Sequence, residues 1–167
     1  MHLNIEIKAR CIDQDSIRNW LKDHHADFKG IDHQIDTYFN VAKGRLKLRE
    51  GNIEHSLIYY ERNDQAGPKE SKVHLYRPQP DPALKAVLEA SLGVWKVVDK
   101  HREIAFIENV KFHLDRVEGL GTFVEIEAID VDGTIGKSKL LEQCTFYMER
   151  FGLVEEDLLE VSYSDLV

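Results

Sequence analysis

Leu3-Asn4-Ile5-Glu6-Ile7-Lys8-Ala9-Arg10 decides how the chain is read. Apolar and polar residues alternate with a period of two, the period of a strand. Leu3, Ile5, Ile7 and Ala9 fall on one face, and Asn4, Glu6, Lys8 and Arg10 on the other. The alternation returns along the chain. Leu46 and Leu48 oppose Lys47 and Arg49, Phe112 and Leu114 oppose Lys111, His113 and Asp115, and Val124 and Ile126 oppose Glu125 and Glu127. Lys100 and Arg102 share a charged face, and Val98 and Ile104 are read as flanking them on the apolar one.

Further extended segments are expected at 28–39, 54–62, 70–77, 94–107, 110–117 and 122–129, with turns at Gly44, Gly51-Asn52, Gly67-Pro68 and Gly119-Leu120-Gly121. Three helices interrupt them. Asp13 caps a helix over 14–26, with Ile17, Trp20 and Leu21 on one face. Asp81-Pro82 starts a second that ends at Gly93. The third runs over 136–151, and a short helical turn follows near 155–159. Short connections between strands imply antiparallel pairing. The expectation is one α+β domain over 1–167: an eight-stranded antiparallel β-barrel with helices packed outside, closure removing the exposed edges.

Composition narrows the function. The chain has 167 residues, 31% of them charged, and a formal net charge of −8. That balance argues against a nucleic-acid partner but not against a local basic cavity. Cys11 and Cys144 are far apart and match no metal or disulfide framework. No signal-like segment and no apolar run of membrane-spanning length is visible, so a cytoplasmic protein without a membrane partner is expected.

The charged faces would ordinarily coat a wet surface. Two features turn them inward. The helices need an apolar sheet face to pack on, which puts that face outside. The charges are also sorted, with carboxylates on the first and last strands and Lys and Arg between them. A charged interior is costly unless a polyanion, a metal or water fills it. A triphosphate suits the Lys and Arg, whose guanidinium forks match phosphate oxygens. Carboxylates beside it call for a hard divalent cation, Mg2+ or Mn2+. Glu6, Glu125 and Glu127 are the candidate ligands.

The sequence resembles the CYTH superfamily of triphosphate tunnel metalloenzymes, in particular its class IV adenylyl cyclase-like branch. The resemblance is carried by 4–10, Asp36-Thr37-Tyr38-Phe39, Arg45-Leu46-Lys47-Leu48-Arg49-Glu50, Asp99-Lys100-His101-Arg102, the stretch 113–127 and the tail Ser162-Tyr163-Ser164-Asp165-Leu166. It implies a two-ended eight-stranded tunnel with metal-dependent chemistry on triphosphates. Glu6 and Glu125 would be metal ligands, with Glu127 a third. Lys8, Arg49, Arg62, Lys100 and Arg102 would hold phosphates with help from Lys47, and Arg10 joins them by alternation. Lys8 and Asp115 would be catalytic, Asp115 by orienting a basic residue or a metal-bound water. One departure matters: the family signature Glu-x-Glu-x-Lys has Asn4 in place of its first Glu, so one tight metal rather than two is expected.

Three activities fit this reading. One is cyclisation of ATP to cyclic AMP and pyrophosphate. Another is hydrolysis of an inorganic, thiamine or nucleoside triphosphate. The third is triphosphate binding without turnover. The expected partner is a small triphosphate, and a second copy of the chain is left open. His24, His25, His55, His74 and His113 are read as structural, His113 being the nearest to a functional position because it shares a face with Asp115. Trp20 and Trp95 are read as packing residues.

Overall fold

Every strand pairs antiparallel with two neighbours, and the last returns to the first. A computed structural model describes residues 1–167. The strands are β1 (His2–Arg10), β2 (Asp27–Phe39), β3 (Arg45–Glu50), β4 (His55–Arg62), β5 (Lys69–Tyr76), β6 (Val94–Ile107), β7 (Val110–Val117) and β8 (Gly121–Asp130). They close in the order β1-β5-β4-β3-β2-β6-β7-β8. The β1–β8 seam sets Glu6 opposite Glu127 and Lys8 opposite Glu125. Carboxylates from the two ends of the sequence therefore stand on one patch of wall.

The helices are α1 (Gln14–Asp23), α2 (Pro82–Leu92), α3 (Lys137–Arg150) and the short α4 (Tyr163–Leu166), outside the barrel wall. α1 starts where the Asp13 carboxylate accepts from the Ser16 N–H at 3.1 Å. It ends earlier than expected because His25 takes a positive φ of 56°, which breaks the helical run. α1 and α3 cover the apolar outer face of β1, β7 and β8. Ile5, Ile7, Phe112, Val124 and Ile126 pack there against Ile17, Leu21, Leu140 and Cys144. α2 does not share in this. It buries no residue and leaves Val87 63% exposed, so two helices rather than three cover the outer face.

Alternation puts the polar face inside, as expected, with one correction. Val98 and Ile104 both have the parity of Lys100 and Arg102 and point inward, Ile104 opposite His113. Val98 joins Tyr38, Ile58, Tyr60, Val73, Val117, Phe123 and Tyr163 in a second apolar cluster. That cluster plugs one end of the barrel. The chain after α3 runs beneath this end, where the Leu159 N–H donates to the Lys8 carbonyl at 2.9 Å, and α4 then delivers Tyr163 into the plug. Buried Lys69 fastens the tail by donating to the carbonyls of Leu159 and Glu160. The barrel has the expected tunnel form, with this apolar cluster gathered at one end. The physical reason is that the C-terminal aromatic residue finds apolar partners among the inward side chains at that level.

The open end is shaped by the β3–β4 turn. The Asp32 carboxylate accepts from the N–H groups of Ile53 and Glu54 at 2.8 and 2.9 Å. Gly51 is required beside it, because a Cβ there would sit 2.6 Å from both Asp32 oxygens. The turn so held aims Glu54 into the chamber.

Phe112 is 1% exposed and meets the Tyr147 and Phe151 rings edge-on, with centroids 4.7 and 5.9 Å away. Phe112→Ala is expected to destabilise the protein by about 3–5 kcal/mol. Urea unfolding with an unchanged slope would check this.

Candidate functional site

The chamber has a volume of about 540 Å³ and is lined by eight Lys or Arg and five Asp or Glu side chains. A chain of net charge −8 thus keeps a surplus of positive charge inside its barrel. Lys8 comes from β1, Lys47 and Arg49 from β3, Arg62 from β4, Lys100 and Arg102 from β6 and Lys111 from β7. Each is inward because of strand parity, which is why most were legible in sequence.

Three ion-pair groups hold these cations apart. In the first, Asp36 accepts from Arg49 twice, at 2.9 and 2.8 Å, and from Lys100 at 2.7 Å, with Lys47 3.2 Å away. Burial alone would raise the Asp36 carboxyl, but Arg49, Lys100 and Lys47 together hold it well below the usual carboxylate range. In the second, Arg102 grips Asp115 with two bonds of 2.7 Å and reaches Glu125 at 3.1 Å. The Tyr163 hydroxyl donates to the same Asp115 at 2.7 Å, so both oxygens of this carboxylate are hydrogen-bonded. In the third, Glu54 pairs with Lys111 and with Arg49.

Lys8 stands between Glu125, 3.9 Å away, and the Tyr163 ring, whose centroid is also 3.9 Å from its ammonium. Burial pulls its pKa down to about 8, against the opposing pull of Glu125. Arg62 donates to Glu6 and to the Ser162 hydroxyl. His113 is 2% exposed with both ring nitrogens unpartnered. Burial, with Arg102 and Lys111 nearby, lowers its pKa to about 3, so the imidazole is neutral. Its Nδ1 lies 3.7 Å from Glu125, too far for a hydrogen bond.

The seam patch fits a hard cation. Burial pushes the Glu127 carboxyl up to about 7; Lys111 opposes this, while Glu6 and Glu125 add to it. The Asn4 amide donates to Glu127, and Asn4 Oδ1 is buried with no hydrogen-bond partner. This is an oxygen-rich surface, with Glu6 paired to Arg62 and Glu125 to Lys8 and Arg102, and carboxylate and amide oxygens are the donor set that Mg2+ or Mn2+ takes. Glu6, Glu125 and Glu127 would hold such an ion, and Asn4 can offer a neutral oxygen.

Arg10 does not join the site. It is exposed at the closed end, its guanidinium over the Phe123 ring at 5.3 Å, because β1 passes the apolar plug before reaching it. All other expected residues face the chamber or, for Asp115, brace its wall. Sequence reasoning gave no role to Asp36, Glu54, Lys111, Tyr163 or Ser162. Lys111 and Asp36 carried the inward parity. Glu54 sits in a turn, and Tyr163 in a tail, where no period operates.

Asp36→Asn leaves three buried cations short of their shared partner and should destabilise the ligand-free protein by about 3–5 kcal/mol. Inorganic triphosphate should then raise the thermal midpoint of the variant more than that of the parent protein, since the polyanion replaces the missing charge. Differential scanning fluorimetry with and without triphosphate reads both effects.

Comparison with known proteins places this barrel. Residues 2–163 match the family profile described as the CYTH domain. A Methanocaldococcus jannaschii protein, named provisionally as an adenylate cyclase, is 25% identical over 178 aligned residues, covering 98% of each chain. The structure of the Pyrococcus horikoshii protein PH1012 superposes with a TM-score of 0.81 at 29% identity, over 100% of this chain and 99% of that one. A Hippeastrum protein, described as a candidate adenylyl cyclase with a dominant triphosphatase activity, shares the fold at 14% identity, with a TM-score of 0.63 over 97% and 91% of the two chains. With nearly its whole length matched to the profile, this chain belongs to the CYTH domain family.

Proposed function

We propose that the protein converts ATP to cyclic AMP and pyrophosphate in the chamber, with a divalent metal held at the β1–β8 seam. CYTH family members are enzymes that act on triphosphates with divalent metals. The observation that carries the reading is the gradient along the chamber. Ile53, Leu75, Phe106, Ile129 and Val131 line it together with His2, His55 and Arg77. The register places these toward the open end, and Lys8, Lys47, Lys100 and Arg102 deeper. An organic base and sugar suit the first zone, and phosphates the second. Inorganic triphosphate alone would leave the apolar zone unused.

In this orientation the α-phosphate lies level with Glu6, Glu127 and Asn4, and the β- and γ-phosphates lie deeper. The metal supplies charge neutralisation of the phosphate oxygens. Arg49, Lys100, Lys47 and Arg102 hold the departing pyrophosphate where its charge develops. As the ribose 3′-oxygen bonds to the α-phosphorus and the α–β bridging bond breaks, the hydroxyl proton passes to solvent at the open end, and Lys8, with its pKa near 8, can donate a proton to the departing pyrophosphate. Asp115 and Tyr163 are positioning residues that keep Arg102 aimed. Asn4 in place of an acid favours a single tight metal.

A second reading has its own support. Lys8 and Glu125 lie side by side at the closed end, where the terminal phosphate would rest. A water there, activated by that pair, would give hydrolysis to ADP and phosphate.

Incubation of the purified protein with ATP, inorganic triphosphate or thiamine triphosphate and Mg2+ or Mn2+ separates these readings. Cyclic AMP with pyrophosphate is expected, and phosphate without cyclic AMP would sink the cyclase reading. Tight binding without any turnover would leave a binding module. Glu125→Gln should abolish turnover and weaken metal binding with the fold intact, and normal turnover would overturn the metal assignment. Arg49→Ala should weaken triphosphate binding by roughly tenfold or more, read by calorimetry.

A further inference from the structure

Behind the cationic wall, on the outside of the barrel, β2 and β6 set His33 directly opposite His101. Their rings stack with centroids 4.3 Å apart and planes within 6°. Asp99, two residues before His101, has the same outward parity, and its Oδ1 is 2.7 Å from His33 Nε2. One ligand atom from each of the three residues lies within 4.8 Å of the other two. The side chains of His33 and Asp99 are 51% and 45% exposed, so the group is open to solvent.

We propose that His33, His101 and Asp99 form a surface site for a divalent transition metal, with zinc the best match to the ligands. Two imidazole nitrogens and one carboxylate oxygen suit zinc, copper or nickel rather than magnesium, whose ligands are oxygens. Tetrahedral zinc, bonded at about 2.0–2.1 Å, holds its ligand atoms roughly 3.3 Å apart. The side chains have to draw in by roughly 1.5 Å to reach that spacing, by rotamer adjustment at a solvent-open surface. Three protein ligands leave a fourth position for water. The carboxylate offsets part of the ion's charge, and the metal replaces the existing His33–Asp99 contact.

The site does not duplicate the one inside the barrel. His33 lies between Asp32 and Gln34, and His101 between Lys100 and Arg102, all four pointing to the interior. The register joins these neighbours across the sheet, Asp32 to Arg102 and Gln34 to Lys100. A metal on the outside therefore fastens the two strands that carry part of the phosphate-holding wall. β2 is already tied at this level, since the His33 N–H donates to Asn52 Oδ1 at 2.7 Å. The metal makes the pairing of β2 with β6 stiffer from behind.

The test uses the tag-free full-length protein titrated with Zn2+ by calorimetry, and with Co2+ followed by its visible absorption. One zinc per chain is expected on this site, with nitrogen ligation seen by X-ray absorption. The double variant His33→Asn/His101→Asn should keep the parent circular dichroism, because both side chains are exposed. It should lose roughly tenfold or more of the zinc affinity, and with it the zinc-dependent rise in thermal midpoint. The variant Glu125→Gln/Glu127→Gln should keep this zinc site, which separates it from the chamber. Unchanged zinc affinity in the histidine double variant, no zinc binding by the parent protein, or one zinc shared by two chains would each overturn the proposal.

Discussion

Buried charge is the constraint on which the rest of this structure depends. Lys100, Asp36, Arg102 and Asp115 are each 3% exposed or less, and such groups persist only with partners close at hand. The barrel meets this by sharing. Asp36 answers Arg49, Lys100 and Lys47 at once, and Asp115 with Glu125 answers Arg102. Arg49, Lys100 and Lys47 share one carboxylate, whereas Arg102 draws on two. The interior is therefore stable when empty and still electrically suited to a polyanion.

The same logic runs in reverse on the opposite wall. At the β1–β8 seam Glu6 and Glu125 are paired with Arg62, Lys8 and Arg102, whereas Glu127, buried and beside those two carboxylates, holds its proton more tightly. Asn4 shows how a single substitution can tune such a surface. An acid at this position would add a further charge to a wall that already carries Glu6, Glu125 and Glu127. The amide keeps an oxygen there without the repulsion, and its donor end meets Glu127.

Closure of one end links the termini to the site. β1 carries Lys8 and Glu6, while the last residues of the chain return beneath β1 to place Tyr163 under Lys8 and against Asp115. The two ends of the cavity differ, with the buried aromatic cluster at one and a mixed lining that includes Ile129, Phe106, Arg77 and Lys111 at the other.

Period-two alternation determined much of this by local chemistry alone: strand identity, which side chains share a face, and hence Glu6, Lys8, Arg49, Lys100, Arg102, Glu125 and Glu127 as one lining. Turn residues and helix caps set the element boundaries nearly as well, since they too are local. Which charge meets which was not legible, because pairings such as Asp36 with Lys100 depend on barrel closure and on the register between strands far apart in sequence. Glu54 and Tyr163 lie in a turn and a tail, outside any period, and only folding brings them to the chamber. Arg10 had the right parity and still falls outside, because parity tells the face but not the depth. The apolar plug, which decides where the chamber stops, is a property of packing in three dimensions.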